Sequence, residues 1–305
     1  MSKVSLPFFL TACLMAELPG SEPHGESAAE GKKPVPAKET AATPGKAPES
    51  NPQLRPKPDS AFSNALDWND GAAEILVYQV KRIGKAGEFL GQGRLVTERM
   101  LLHADGLADR RASGKDDVEI LNALLLNYGD DNGASYSFQT TVKLARHDAL
   151  RLLKQDQSLA AWPGTSYRSL DCRVTPPRLK SLSSGGEGEK DSVLTRWPVY
   201  TEAMLFTYLR AIPLRAGYRE EVWFQDWAGE GSFVARPQFA AISVHSKTTS
   251  VRELDTWYVT LDRDDGHRSE FWISATGLHP VVLAILSDHS EWTLQGISRK
   301  KYWAW

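Results

Sequence analysis

The sequence predicts a mainly β protein, a curved antiparallel sheet of the barrel or half-barrel kind, with one short helix that plugs it or covers it as a lid. Three observations predict this. Short apolar–polar alternations recur on both sides of the chain's middle, as half-buried strands require. Clusters of Gly, Asp, Asn and Ser separate them at hairpin lengths. One stretch, Val199–Tyr218, carries a helical repeat with recognisable ends.

In that stretch Met204, Leu205, Tyr208, Leu209 and Ile212 recur at helical spacing and share one face. Thr201 stands at the N-cap, and Glu202 places a carboxylate in the first turn, beside the unpaired N–H groups. Pro213 stops the helix and Gly217 frees the chain to turn, so a helix is expected over 201–212. A short amphipathic helix has to bury its stripe against the sheet.

The chain has 305 residues, a net charge of −2 and a pI near 6.4. That balance supplies no basic field to neutralise phosphates, so nucleic acid is not an expected partner. Lys3 and the apolar run Val4–Ala16 are built like an export signal and are too short to span a bilayer. Leu10-Thr11-Ala12-Cys13 resembles the bacterial lipobox, which implies lipidation of Cys13 and a membrane anchor. Leu14 after that cysteine implies the outer membrane, reached from the periplasm; the alternative is a soluble secreted protein cleaved after Ala16.

Residues 17–61 carry nine of the 17 prolines and no aromatic residue. Such a segment buries too little apolar area to offset its ordering entropy, so it reads as a disordered tether. The remainder, 62–305, reads as a single β-rich domain in two halves around the helix.

The body opens with Glu74–Ile83 as a strand, turns through Gly84–Gly87 and returns along Glu88–Glu98. Gly91 and Gly93 inside that return mark bulges or close backbone approach. Asp116–Tyr128 reads two ways. Val118, Leu121, Leu125 and Tyr128 share a helical face behind an Asp116/Glu119 capping pattern, whereas Leu124–Tyr128, the Gly129–Gly133 turn and Ser135–Leu144 make a hairpin. The strand reading is preferred. A second hairpin turns at His147-Asp148, and Leu150–Leu159 runs back toward Trp162.

Thr175–Arg196, rich in Pro, Ser and Gly, reads as the longest loop and a cavity rim. Strands are then expected at Tyr218–Trp227, Ser232–His245, Asp255–Asp262, Arg268–Ser274, Val281–Leu286 and Glu291–Ser298. The last four form an antiparallel meander, with Val281–Leu286 central and covered on both sides.

Motifs for nucleophilic, zinc, redox or phosphate chemistry are missing: there is no G-x-S-x-G, H-E-x-x-H, C-x-x-C or P-loop. Cys172, the body's lone cysteine, reads as a small buried hydrophobe. Asp262, Asp264, Asp265 and His267 form the densest polar cluster, the basis of a lesser hydrolase reading, but Asp-Gly there supplies turn geometry. His103 with Asp105 and His147 with Asp148 read as surface turns. No catalytic residue, metal ligand or cofactor is expected. The aromatic set says more. Leu205, Tyr208 and Leu209 of the helix, with Trp223, Trp257, Trp272 and Trp292, are the candidates for lining an apolar cavity.

Phe206–Gly217, FTYLRAIPLRAG, followed by SEFWIS, PVVLAILSD and EWTLQGI, resembles the exported bacterial β-barrel domains of unknown function found in periplasmic proteins and lipoproteins. The resemblance covers about Ala73 to Trp303 and is strongest after Phe206. It implies a curved sheet akin to the lipoprotein-carrier half-barrels and brings no catalytic residues. The function expected first is therefore a non-enzymatic, envelope-anchored binding or carrier module for a lipid or other amphiphile. The second is a structural or assembly protein of the envelope with a filled core, a protein partner and no small ligand.

Overall fold

The structure is a computed structural model that describes Phe62 and residues 65–84, 87–109, 116–131, 134–161, 164–184, 188–225, 237–251 and 253–301. All of these belong to one compact unit. The export signal, Cys13 and the tether lie outside the described residues.

After a 3-10 turn at Leu66–Asn69 come β1 (Ala73–Gly84), β2 (Gly87–Leu102), β3 (Ala108–Asp109), β4 (Val118–Asp131), β5 (Ala134–Ala145), β6 (Leu152–Ala161), β7 (Gly164–Asp171), β8 (Arg178–Ser183), β9 (Gly188–Val193) and β10 (Val199–Tyr200). The helix α1 (Glu202–Tyr208) follows, then β11 (Arg219–Phe224), β12 (Gln238–Val251), β13 (Leu254–Arg263), β14 (Arg268–Ser274), β15 (Val281–Ile285) and β16 (Glu291–Lys300). They form one curved sheet of 16 strands that is not closed into a barrel.

Apart from β3, which pairs with β2 alone, the sheet follows chain order except at its heart, where β16 pairs with β1, antiparallel, from Ala73↔Lys300 to Lys81↔Glu291. Its edges are therefore β9 and β10, neighbours in sequence. Residues 194–198 join them, and a connector of that length spans at most roughly 20 Å. The curvature thus brings the two edges of an open sheet back toward each other.

β10 and β11 are the only parallel neighbours among the described strands. A parallel pair cannot be joined by a hairpin and needs a crossover. Here the crossover carries α1, and the crossover is seated on the concave face. Inward positions alternate along each strand: Leu76, Tyr78 and Val80 in β1, Val259 and Leu261 in β13, Phe271 and Ile273 in β14 are all buried in one core with α1.

Gly91 and Gly93 show why β2 carries glycine. A Cβ on Gly93 would clash with Trp292 Cζ3, and one on Gly91 would lie 2.6 Å from the Tyr136 hydroxyl. Both are close approaches of an aromatic side chain to the sheet, as the sequence indicated.

Segment 116–128 is a strand, paired with β2 on one side and β5 on the other. Of the helical pattern, Leu121 and Leu125 face the main core and Val118 and Tyr128 are exposed on the other face, where Ile120 joins a second small cluster with Leu102, Ala145 and Leu153. The meander β13–β16 is as expected. Within it β15 is central, although Leu283 and Ile285 keep partial exposure on the convex side.

Three expectations need correction. The long loop at 175–196 holds β8 and β9, two short strands at the sheet's edge whose side chains are mostly exposed. The α-helix is shorter than 201–212: after Tyr208 the chain tightens, with Arg210 N donating to Thr207 O and Ala211 N to Tyr208 O. Finally, β12 runs from Gln238 to Val251 rather than from Ser232 to His245, and 231–236 lie outside the described residues.

One buried ion pair fastens the end of the crossover to the sheet. Arg210 donates to both carboxylate oxygens of Glu74 on β1, at 2.6 and 2.9 Å, and through Nε to Leu278 O at 2.9 Å. The Phe62 ring lies 5.0 Å from its guanidinium. Arg210→Met would leave Glu74 buried without its counter-charge and is expected to cost about 3–5 kcal/mol in chemical denaturation, most of it recovered in Arg210→Met/Glu74→Leu.

Candidate functional site

The site is the seat of α1 on the concave face. A seven-residue helix has no stability of its own in water, so the seat holds it. Ala203, Met204, Leu205, Phe206, Thr207 and Tyr208 are all buried, so the helix is covered around its whole circumference and not along one stripe. That geometry belongs to a plug. Phe206 lies 5.8 Å from Tyr78, 6.1 Å from Phe271 and 5.3 Å from Trp292 between ring centres. The Tyr78 hydroxyl donates to Val281 O and the Trp292 indole N–H to Ser290 Oγ, so these rings carry no unpaired polar group into the core.

The helix start departs from its sequence reading. Thr201 occupies the N-cap position with extended backbone, but its hydroxyl donates to Gln155 Oε1 on β6 at 2.5 Å instead of capping the first turn. Glu202 accepts from Ser269 Oγ at 3.1 Å and from Ser287 N at 3.4 Å. The seat is also not wholly apolar: Thr140, Gln155 and Gln157 are buried on the concave side of β5 and β6.

A second polar group closes the plug. Glu220, which shares a face with Val222 and Phe224 of β11, accepts from three phenols. Tyr208 Oη reaches its two oxygens at 2.9 and 3.0 Å, Tyr218 Oη donates at 3.0 Å and Tyr200 Oη at 3.4 Å. Tyr200 enters the crossover, Tyr208 ends α1 and Tyr218 leaves it, so the excursion is tied at entry, body and exit to one carboxylate. Among the described residues no cation pairs with Glu220. Burial pushes its carboxyl above the ordinary range, and the three phenol donors oppose that rise. Burial, with the carboxylate nearby, holds all three phenols above their ordinary range, so they stay donors at physiological pH.

The seven cavity candidates separate. Leu205, Tyr208, Leu209 and Trp292 lie together in the core. Trp257 is on the concave face beside Lys247, whose Nζ is 5.3 Å from its ring. Trp272 points to the convex face, and Trp223 alternates to that face while still packing against the margin of the core. Trp223 packs on Phe239 beneath the Arg196 guanidinium, and Trp272 on Tyr258, itself stacked with His245. Glu220, Arg210 and Glu74 escaped the sequence reading. Only the Tyr218/Glu220 spacing of two, one face of a strand, hinted at the group.

The other clusters are occupied by local pairing. Asp262 pairs with Arg268 and Asp265 with Arg263, in the turn that Gly266 makes at φ 84°. Cys172 is packed against the core, and burial pushes its thiol up to about 12, which makes it unreactive. No group of three or more His, Cys, Asp and Glu among the described residues is arranged to hold a metal ion. His147 meets Glu119 and not Asp148. His103 meets Asp109 at 3.0 Å and Asp117 at 2.9 Å, through different ring nitrogens.

Comparisons of the chain with known protein families, curated proteins and solved structures give no match. The site is therefore read from its own geometry.

Two predictions follow from it. Leu205→Ala and Leu209→Ala, each opening a cavity in the plug's seat, are expected to destabilise by about 2–5 kcal/mol in urea denaturation. His103 donates through both nitrogens only as an imidazolium, and its hydrogen bonds to Asp117 and Asp109 raise its pKa. Its contribution is thus complete below the ordinary histidine pKa and is lost as pH rises through the raised folded value. Amide exchange at 103–109 should quicken over that window beyond its intrinsic rate, and His103→Gln should remove the pH dependence.

Proposed function

We propose that this chain is a non-enzymatic structural or assembly protein of the bacterial cell envelope, with an interior filled by its own helix and partners met on its convex face. The observation that carries this is the burial of α1 on every side. Carriage of a lipid or other amphiphile would require α1 to leave its seat, because Leu205, Tyr208, Leu209 and Trp292 already pack into one core. The envelope placement rests on the leader and on the lipobox-like Cys13. No helix among the described residues is long and apolar enough to cross a membrane. In this reading the lipidated N-terminus is the anchor.

The reading is tested by native mass spectrometry of the protein released from its own envelope. The expected spectrum shows the polypeptide with a diacylglyceryl mass at the mature N-terminal cysteine and no further small molecule. A lipid retained in stoichiometric amount, and lost in Leu205→Ala/Leu209→Ala, would overturn the filled-core reading and restore carriage.

A further inference from the structure

We propose that Glu220 and the tyrosines at 200, 208 and 218 form a proton-controlled latch that holds the plug in its seat when Glu220 is neutral and loosens it when Glu220 is ionised. The latch is independent of what the convex face contacts.

The geometry supplies each part. The latch spans β10, α1, the turn after α1 and β11, which together make up one edge of the open sheet. That edge has a neighbour on one side only, and β10 contributes just two residues of ladder. Detaching β10 from β11 breaks only that short ladder. A neutral Glu220 accepts phenol hydrogens at its carbonyl oxygen and donates its own proton to a phenol oxygen, with no net charge beneath the sheet. Loss of that proton to solvent leaves a negative charge on the concave face. Three neutral phenols are then its only hydrogen-bond partners among the described residues.

The phenol donors offset that charge only in part, and no cation among the described residues pairs with it. β10 presents Tyr200, α1 presents Tyr208, and the turn presents Tyr218 with Arg215, which acts on the Tyr218 phenol. The β12 partner of Glu220 is Ile242. On β11 itself Arg219 and Glu221 alternate to the opposite face.

The sign follows from linkage. The folded protein holds the Glu220 proton more tightly than the unfolded chain does, so the stability of the latched state is complete below the ordinary glutamate pKa and falls as pH rises through the folded value.

The experiment is amide hydrogen exchange of the full chain from below the ordinary glutamate pKa up to pH 9, with intrinsic rates divided out. Peptides covering 200–218 should lose protection in the wild type as pH rises, by up to about tenfold per unit while Glu220 titrates. Peptides from β13 and β14 should not. In Glu220→Gln, neutral at every pH, the 200–218 protection should be flat. An unchanged pH dependence in that variant, or a flat wild type, overturns the latch. If Glu220→Gln does not fold, Tyr218→Phe decides the question: it removes one donor that favours the ionised form, so the loss of protection must move to higher pH. An unmoved midpoint overturns the proposal.

Discussion

Two parallel strands cannot be joined by a tight turn, and in this sheet one such pair, β10 with β11, stands at the edge. The chain between them has to leave the sheet and come back, and it does so across the concave face. Everything else follows from that excursion. The residues that leave are buried on all sides, the strands they meet present Tyr78, Phe271 and Trp292, and β2 carries Gly93 where the Trp292 ring needs the space of a side chain. A sheet of this curvature with polar side chains inside would hold water. With α1 inside it holds a core.

The polar groups carried inward with the plug are placed unequally. Arg210 and Glu74 neutralise each other by a bidentate contact, which suits a permanent joint between the crossover and β1. Glu220 meets only hydroxyls, so its charge state is free to matter. The first joint lies next to the β1–β16 pairing in the middle of the sheet, and the second at its open edge. A firm centre and a titratable margin are what a device that must move one edge without unfolding would need.

The filled interior also redirects the search for function. The aromatic residues that suggested a ligand cavity divide between a core already in contact with itself and a convex face where Trp223 and Trp272 join cross-strand aromatic pairs. On that convex face carboxylates meet arginines or phenols, as in Asp262 with Arg268 and Glu270 with Tyr258. This leaves the outer surface, rather than a pocket, as the place for a partner.

Some of this was legible in the residues themselves. Alternation in DTWYVTLD and SEFWIS, with Asp-Gly between them, determined a hairpin whatever the rest of the chain did, because period-two burial is local. The glycines of β2 were equally local, whereas the helix ends at Tyr208, about a turn before the expected stop at Pro213. By contrast, RLKSLS and GEKDSV have little apolar surface to announce a strand, and only a place beside β7 made them one. The 116–128 segment showed two periodicities because it faces two clusters, and pairing on both sides decided between them. The helix could be placed from sequence to within a turn, but plug or lid depends on what touches its other faces. That is set by the closure of β1 on β16, residues more than two hundred positions apart, and the same closure brings Arg210 to Glu74. The convergence of three tyrosines on Glu220 is likewise a product of register, which no single segment encodes.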